Sequence, residues 1–174
     1  MYEYIIFFTA AFMLAFALEP LVMKLAFATG VIDIPKDNRR MHNKPIPLMG
    51  GLAIFAAFLV TCLAGVICSG NGILEQFQPN MTLWGIIGGA VVIEIIGILD
   101  DIFTLTYKPR LPVQILAALI VAATGTRITY VTNPFVDAGY SVLPAPISWI
   151  LTVLWIVGIT NALNLIDGLD GLSG

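Results

Sequence analysis

Five apolar runs, at about residues 4–25, 48–69, 81–99, 111–126 and 146–166, limit what this chain can fold into. A helix that crosses the hydrocarbon core of a bilayer uses about 20 residues, so five such runs nearly exhaust the 174 available. No separate soluble domain fits. The expectation is one all-α, multi-pass membrane domain over residues 1–174, with about five transmembrane helices. Composition agrees, since 59% of the residues are hydrophobic and 11% charged, beyond the roughly 45–50% apolar content of soluble domains. The fourth run is the shortest and weakest, which predicts a tilted helix or one flanked by irregular backbone buried in protein. Met1-Tyr2-Glu3-Tyr4 lacks the basic start and small-residue cleavage site of a signal peptide, so the first run reads as a retained span.

The runs are joined by Asp33 to Pro47, Ser69 to Asn80, Asp100 to Arg110 and Thr126 to Ala145. Asn133-Pro134 and Gly139 give the last of these the turn chemistry of a short hairpin. Consecutive spans alternate in direction, which places the first and third loops and the C-terminal segment on one side. Lys24, Lys36, Arg39, Arg40, Lys44, Lys108 and Arg110 fall on that side and only Arg127 on the other. Basic excess marks the cytoplasm, so the N-terminus is expected outside and the motif loops inside. A formal charge of −3, from 11 acids and 8 bases, argues against nucleic acid as a partner. Cys62 and Cys68 lie in or beside one apolar run without a histidine companion, and read as packing thiols rather than a disulfide framework or zinc site.

Three constellations carry candidate chemistry. Asp100 and Asp101 end the third run, and two neighbouring carboxylates at a membrane edge repel unless a cation or proton lies between them. A hard divalent cation answers that need and shares its remaining positions with substrate phosphates; the plain alternative is a solvated helix end. After the fifth run, Asn161, Asn164, Asp167 and Asp170 recur every three residues, interleaved with Gly168, Gly171 and Gly174. On a helix that period makes one slowly drifting polar stripe of amide donors and carboxylate acceptors aimed at a polar ligand. Its alternative is a glycine-rich helix end with aspartates as caps. The first loop combines Arg39, Arg40 and Lys44 with His42, Asp33 and prolines that stiffen its path toward Gly50-Gly51. Such a loop suits phosphate groups, although the bases alone also serve as a topology signal, and a lone His42 makes no metal site. Lys108 and Arg110 follow the aspartate pair closely enough to balance its charge or hold a phosphate, and Gln114 enters the fourth span. Glu19 and Glu94 lie within spans, where carboxylates face a partner or a cavity; no catalytic role is assigned to them.

On these residues the chain resembles the polyprenyl-phosphate N-acetylhexosamine-1-phosphate transferase superfamily, glycosyltransferase family 4. RRMHNKPIPLMGGLAIF, GILDD with LPVQ downstream, and ITNALNLIDGLDGLSG occur in the family's order and on the side the family requires. The wording is most similar to the branch that moves N-acetylglucosamine-1-phosphate from UDP-N-acetylglucosamine to undecaprenyl phosphate, releasing UMP and starting teichoic-acid, O-antigen and related glycans. The peptidoglycan branch, phospho-N-acetylmuramoyl-pentapeptide transferase, shares the aspartate pair and the Asn/Asp segment and is the alternative. The resemblance implies Mg²⁺, with Mn²⁺ as a substitute, at Asp100, Asp101 and Asp167. It implies catalytic roles for these three and Asp170, and substrate binding by Arg39, Arg40, His42, Lys44, Lys108, Asn161 and Asn164. It implies a UDP-sugar donor, a lipid-phosphate acceptor and surrounding membrane lipid as partners, and allows a homodimer.

Family members are nearly twice this length and supply a further aspartate loop and a histidine-rich loop from their C-terminal half. The chain therefore reads as the N-terminal half of a transferase fold, with an incomplete site and no activity by itself unless a second chain supplies the rest. Two readings from other classes compete. An ion-coupled transporter piece would use Glu19, Glu94 and the aspartates as a relay, but transporter sites lie near the midplane and these aspartates sit at helix ends. The other is a non-catalytic membrane fragment.

Overall fold

The structure, a computed structural model, describes residues 2–33, 46–70, 79–136 and 139–166. Five helices follow the five runs: α1 (Tyr2–Thr29), α2 (Gly50–Gly70), α3 (Met81–Phe103), α4 (Tyr107–Ala123) and α5 (Ala145–Ile166). Two short antiparallel pairs accompany them, β1 (Ile32–Asp33) with β2 (Ile46–Pro47), and β3 (Tyr130–Thr132) with β4 (Tyr140–Val142). Four of the helices, α1, α2, α3 and α5, are long and apolar enough to cross a membrane. The fifth expected span, α4, has 17 residues and carries Lys108, Arg110, Pro112 and Gln114, so it does not qualify by itself. It begins at Tyr107, a turn earlier than its apolar run, and this places Lys108 and Arg110 on helix rather than in a loop. The chain is a mostly helical, multi-pass membrane protein.

The chain divides into two compact units, residues 1–79 with 94–106 and residues 80–93 with 107–174, so that α3 contributes to both. In the first unit α1 packs on α2 around Val22, Ala26, Val31, Met49 and Ala53, against which Leu18, Leu48, Leu52 and Ile98 also lie. Ala26 and Ala53 are fully buried, and small side chains at such positions let helix backbones approach closely in lipid. Gly30 stops α1 in the left-handed conformation, at φ 75°, while the Val31 N–H donates to the Ala26 carbonyl at 2.9 Å. The register Ile32↔Pro47 and Asp33↔Ile46, continued by Leu48 N–H to Val31 O at 3.1 Å, then holds both ends of the basic loop side by side. Phe8 and Phe16, each 74% exposed, are typical of an α1 surface that suits lipid better than water.

In the second unit, Asn80 caps α3 by accepting the Leu83 N–H at 2.9 Å. The start of α3 runs antiparallel to the end of α4, with Thr82 Oγ1 donating to Thr124 O at 3.0 Å and Gly89 facing Ala117 and Val121. The buried positions of α4 are Gln114, Ala117, Ala118 and Ala122. The expected hairpin is present between α4 and α5, with Tyr130↔Val142 and Thr132↔Tyr140 opposed and the Tyr130 and Tyr140 rings 5.8 Å apart. Its base is tied to α5 by Ile128 N–H to Thr152 Oγ1 at 2.9 Å and by the Arg127 guanidinium 5.3 Å from the Trp149 ring centre. Aromatic and basic groups at helix ends suit the membrane–water boundary.

At its other end α3 stops with Thr104 at φ 47°, its N–H bonded to Asp100 O at 2.7 Å. A β-branched residue is a poor choice for this conformation. Thr104→Gly is expected to stabilise the protein by about 1 kcal/mol, as relief of left-handed strain commonly does, and to raise the thermal midpoint in detergent micelles. An unchanged or lower midpoint would show that the Thr104 side chain contributes more than its backbone costs.

Candidate active site

In the first unit the last turn of α3 presents Asp100 and Asp101, both half-buried. Neighbours on a helix diverge by about 100°, so the two carboxylates leave the helix in different directions. Asp101 is directed at the beginning of α2, where its Oδ2 accepts the N–H of Met49 at 2.9 Å. Met49 is buried and left-handed, at φ 73°, and its carbonyl accepts the Leu52 N–H at 3.0 Å. Asp101 therefore fixes the point where the basic loop becomes α2.

Two more carboxylates approach the same turn. A Cβ on Gly51 would lie 3.8 Å from Glu94 Oε2, and one on Gly50 would lie 4.0 Å from Glu19 Oε1. The N-terminus of a helix carries unsatisfied N–H groups, which suit nearby hydrogen-bond acceptors. Glu19 and Glu94 thus have a structural reason for lying within apolar helices. Sequence reasoning left them without one, because the glycines they approach, Gly50 and Gly51, lie far from both in the chain.

The second unit holds the asparagine half of the polar stripe. Arg110 Nη2 donates to Asn164 Oδ1 at 2.7 Å. One turn along, Asn161 Nδ2 donates to Gln114 Oε1 at 2.7 Å and also to the Val157 carbonyl at 2.8 Å. Positions 110 and 114 on α4 and 161 and 164 on α5 make two polar rungs between antiparallel helices. Gln114 is 5% exposed, whereas Asn164 lies at the surface. Lys108, the expected phosphate ligand on this helix, is exposed. Of the two partners on α4, the sequence marks Arg110 as a charge balance or phosphate ligand and Gln114 as the residue entering the fourth span, and neither as a partner of the asparagines. Their spacing of four residues against the stripe's spacing of three was the available signal.

Arg39, Arg40, His42, Lys44, Asp167 and Asp170 lie outside the described residues. Among the described residues, no three His, Cys, Asp or Glu side chains come together as a metal-binding group.

Comparison with known proteins adds to this geometry. The family model for glycosyl transferase family 4 matches residues 83–174, just over half of the chain, from α3 through the Asn/Asp segment. A Bacillus subtilis protein named probable undecaprenyl-phosphate N-acetylglucosaminyl 1-phosphate transferase is 38% identical over 99% of the chain, which covers 45% of that protein. A Mycobacterium tuberculosis decaprenyl-phosphate N-acetylglucosaminephosphotransferase is 34% identical over 95% of the chain and 40% of its own length. The Escherichia coli undecaprenyl-phosphate alpha-N-acetylglucosaminyl 1-phosphate transferase is 28% identical over 87% of the chain and 38% of its own. The chain thus spans less than half the length of each of these relatives. No solved structure matches it. From the family match and the length of chain over which these identities extend, the protein belongs to glycosyl transferase family 4.

Proposed function

We propose that this chain forms the N-terminal part of an enzyme that transfers N-acetylglucosamine-1-phosphate from UDP-N-acetylglucosamine to undecaprenyl phosphate, initiating a cell-envelope glycan. The observation that carries this reading is the 38% identity to the Bacillus subtilis relative across 99% of the chain. In the reaction, an oxygen of the lipid phosphate bonds to the β-phosphorus of the donor while the bond from that phosphorus to the bridging oxygen breaks. The bridging oxygen leaves on UMP with its electron pair, and the lipid carries a pyrophosphate-linked sugar. A lipid phosphate is already largely ionised near neutral pH, so proton removal by a carboxylate contributes little. Catalysis then rests on orientation and on charge stabilisation.

The basic loop with Arg39, Arg40, His42 and Lys44, together with Lys108, is proposed to hold phosphate groups, and Asn164, Asp167 and Asp170 to bind the nucleotide sugar or its cation. Asp100 and Asp101 offer carboxylate oxygens alone, which are the donors Mg²⁺ prefers, and an incomplete protein shell suits an ion that keeps positions for substrate phosphates. The residues that would hold it are Asp100, Asp101 and Asp167, and Mn²⁺ is a chemically reasonable substitute. Bound there, the cation supplies stabilisation of the negative charge that gathers on the transferred phosphoryl group. Asp101 also holds the Met49 amide, which gives the basic loop a fixed exit beside the carboxylate pair. The excess of bases near the Asp100 end of α3 supports a cytoplasmic position for this face, where nucleotide sugars are available.

The test joins the chain to the remaining C-terminal portion of the Bacillus subtilis relative. Membranes containing the joined protein are expected to form lipid-linked N-acetylglucosamine from labelled UDP-N-acetylglucosamine and undecaprenyl phosphate with Mg²⁺, releasing UMP, and the chain alone to form little. Product from UDP-N-acetylmuramoyl-pentapeptide instead would move the protein to the peptidoglycan branch. No product from either donor, with the joined protein inserted at normal levels, would overturn the transferase reading.

A further inference from the structure

We infer that Arg110 and Gln114 are positioning residues that form a strut between α4 and α5, setting the orientation of the Asn164 amide so that it presents hydrogen-bond donors to the nucleotide sugar. This deepens the transferase reading and rests on it.

A carboxamide has two donor hydrogens on nitrogen and acceptor lone pairs on oxygen, and its partners decide which way it faces. Asn161 has both hydrogens engaged, one on Gln114 Oε1 at 2.7 Å and one on the Val157 carbonyl at 2.8 Å. It has no amide hydrogen left for a ligand, so its place is within the strut. Asn164 is held in the opposite sense. Its Oδ1 accepts from Arg110 Nη2 at 2.7 Å, a charge-assisted bond that places oxygen toward the guanidinium and turns the NH₂ group away from it. Asn164 is also the exposed member of the pair. An outward NH₂ group suits an acceptor-rich ligand such as the phosphate and carbonyl oxygens of a uridine nucleotide.

Gln114 makes the arrangement stiff. It is buried among the alanine positions of α4, and a buried amide in an apolar setting strongly favours the conformation that satisfies it. The Gln114–Asn161 rung therefore fixes the register of α5 on α4, and Arg110 uses that register to orient Asn164 one turn along.

Two measurements test the proposal. The first needs no reaction: thermal midpoints of the chain in detergent micelles for Arg110→Ala, Asn164→Ala and the double variant. Coupling predicts that the double variant melts no lower than Arg110→Ala alone, and that Gln114→Leu lowers the midpoint by stranding Asn161. The second uses the joined enzyme. Asn164→Asp keeps an acceptor for Arg110 but removes the donor hydrogens, so its midpoint should be retained while KM for UDP-N-acetylglucosamine rises about tenfold, the ratio equivalent to one good hydrogen bond. Arg110→Ala should raise the same KM with a smaller change in kcat, and Arg110→Lys should recover part of it. Additive midpoints, or wild-type KM in Asn164→Asp, would overturn the proposal. Coupled midpoints without turnover in any version would support the strut and count against the transferase reading alone.

Discussion

Asp101→Asn is expected to lower the transfer rate of the joined enzyme about 100-fold or more, equivalent to roughly 2.7 kcal/mol in the barrier, while the thermal midpoint stays near that of the wild type. The separation of the two effects follows from the Asp101 carboxylate. Its Oδ2 accepts the Met49 N–H at 2.9 Å, and an asparagine oxygen can accept the same bond. What asparagine cannot supply is the negative charge proposed to hold a divalent cation beside the donor phosphates. Asp101→Ala removes both functions. It leaves the N–H of a buried residue without its acceptor, which costs about 1–3 kcal/mol, so the alanine variant should lose stability as well as activity. Steady-state rates and detergent melting curves on the same preparations check this. Full activity in Asp101→Asn would reduce the residue to an acceptor for Met49 and move the proposed metal role elsewhere.

Gly89→Val is expected to destabilise the second unit by about 2–3 kcal/mol, within the usual range for overpacking a close contact. Even the first added carbon is obstructed. A Cβ on Gly89 would lie 2.5 Å from Val121 Cγ2 and 3.2 Å from the Ala117 carbonyl oxygen. The valine has little rotamer freedom on a helix, and the carbonyl belongs to the α4 backbone, so relief requires α3 and α4 to separate. Gly97 is the internal control, because nothing lies within 4 Å of the Cβ that alanine would add there. Gly97→Ala should melt at or above the wild-type temperature and Gly89→Val well below it. Equal midpoints for the two would refute the close helix contact.

Apolar length made the membrane architecture legible, and the Asn133-Pro134 and Gly139 turn residues announced the hairpin that the structure contains. The status of α4 was less legible. Its apolar run marked a helix, but the helix starts at Tyr107 and takes in Lys108, Arg110 and Gln114, and the last two find amide partners on α5 that a hydropathy window cannot represent. The three-residue spacing of Asn161 and Asn164 correctly implied a shared helix face, and it said nothing about the α4 residues that face them. Met49 escaped notice for a related reason. Its part in the site is played by a backbone N–H and a left-handed φ, neither of which a methionine advertises. Glu19 and Glu94 were visible as costly intramembrane carboxylates, yet their common neighbour at Gly50 and Gly51 depends on contacts between segments far apart in sequence.

The short, polar α4 also bears on how the protein is made. A segment of 17 residues with two cationic side chains, two prolines and a glutamine partitions poorly into lipid when it first leaves the translocation machinery. Arg110 and Gln114 acquire their amide partners only when residues 161 and 164 have been synthesised, about 50 residues later. The fourth and fifth helices should therefore enter the bilayer as a pair, with the fourth waiting at the membrane surface or in the insertase until the fifth arrives.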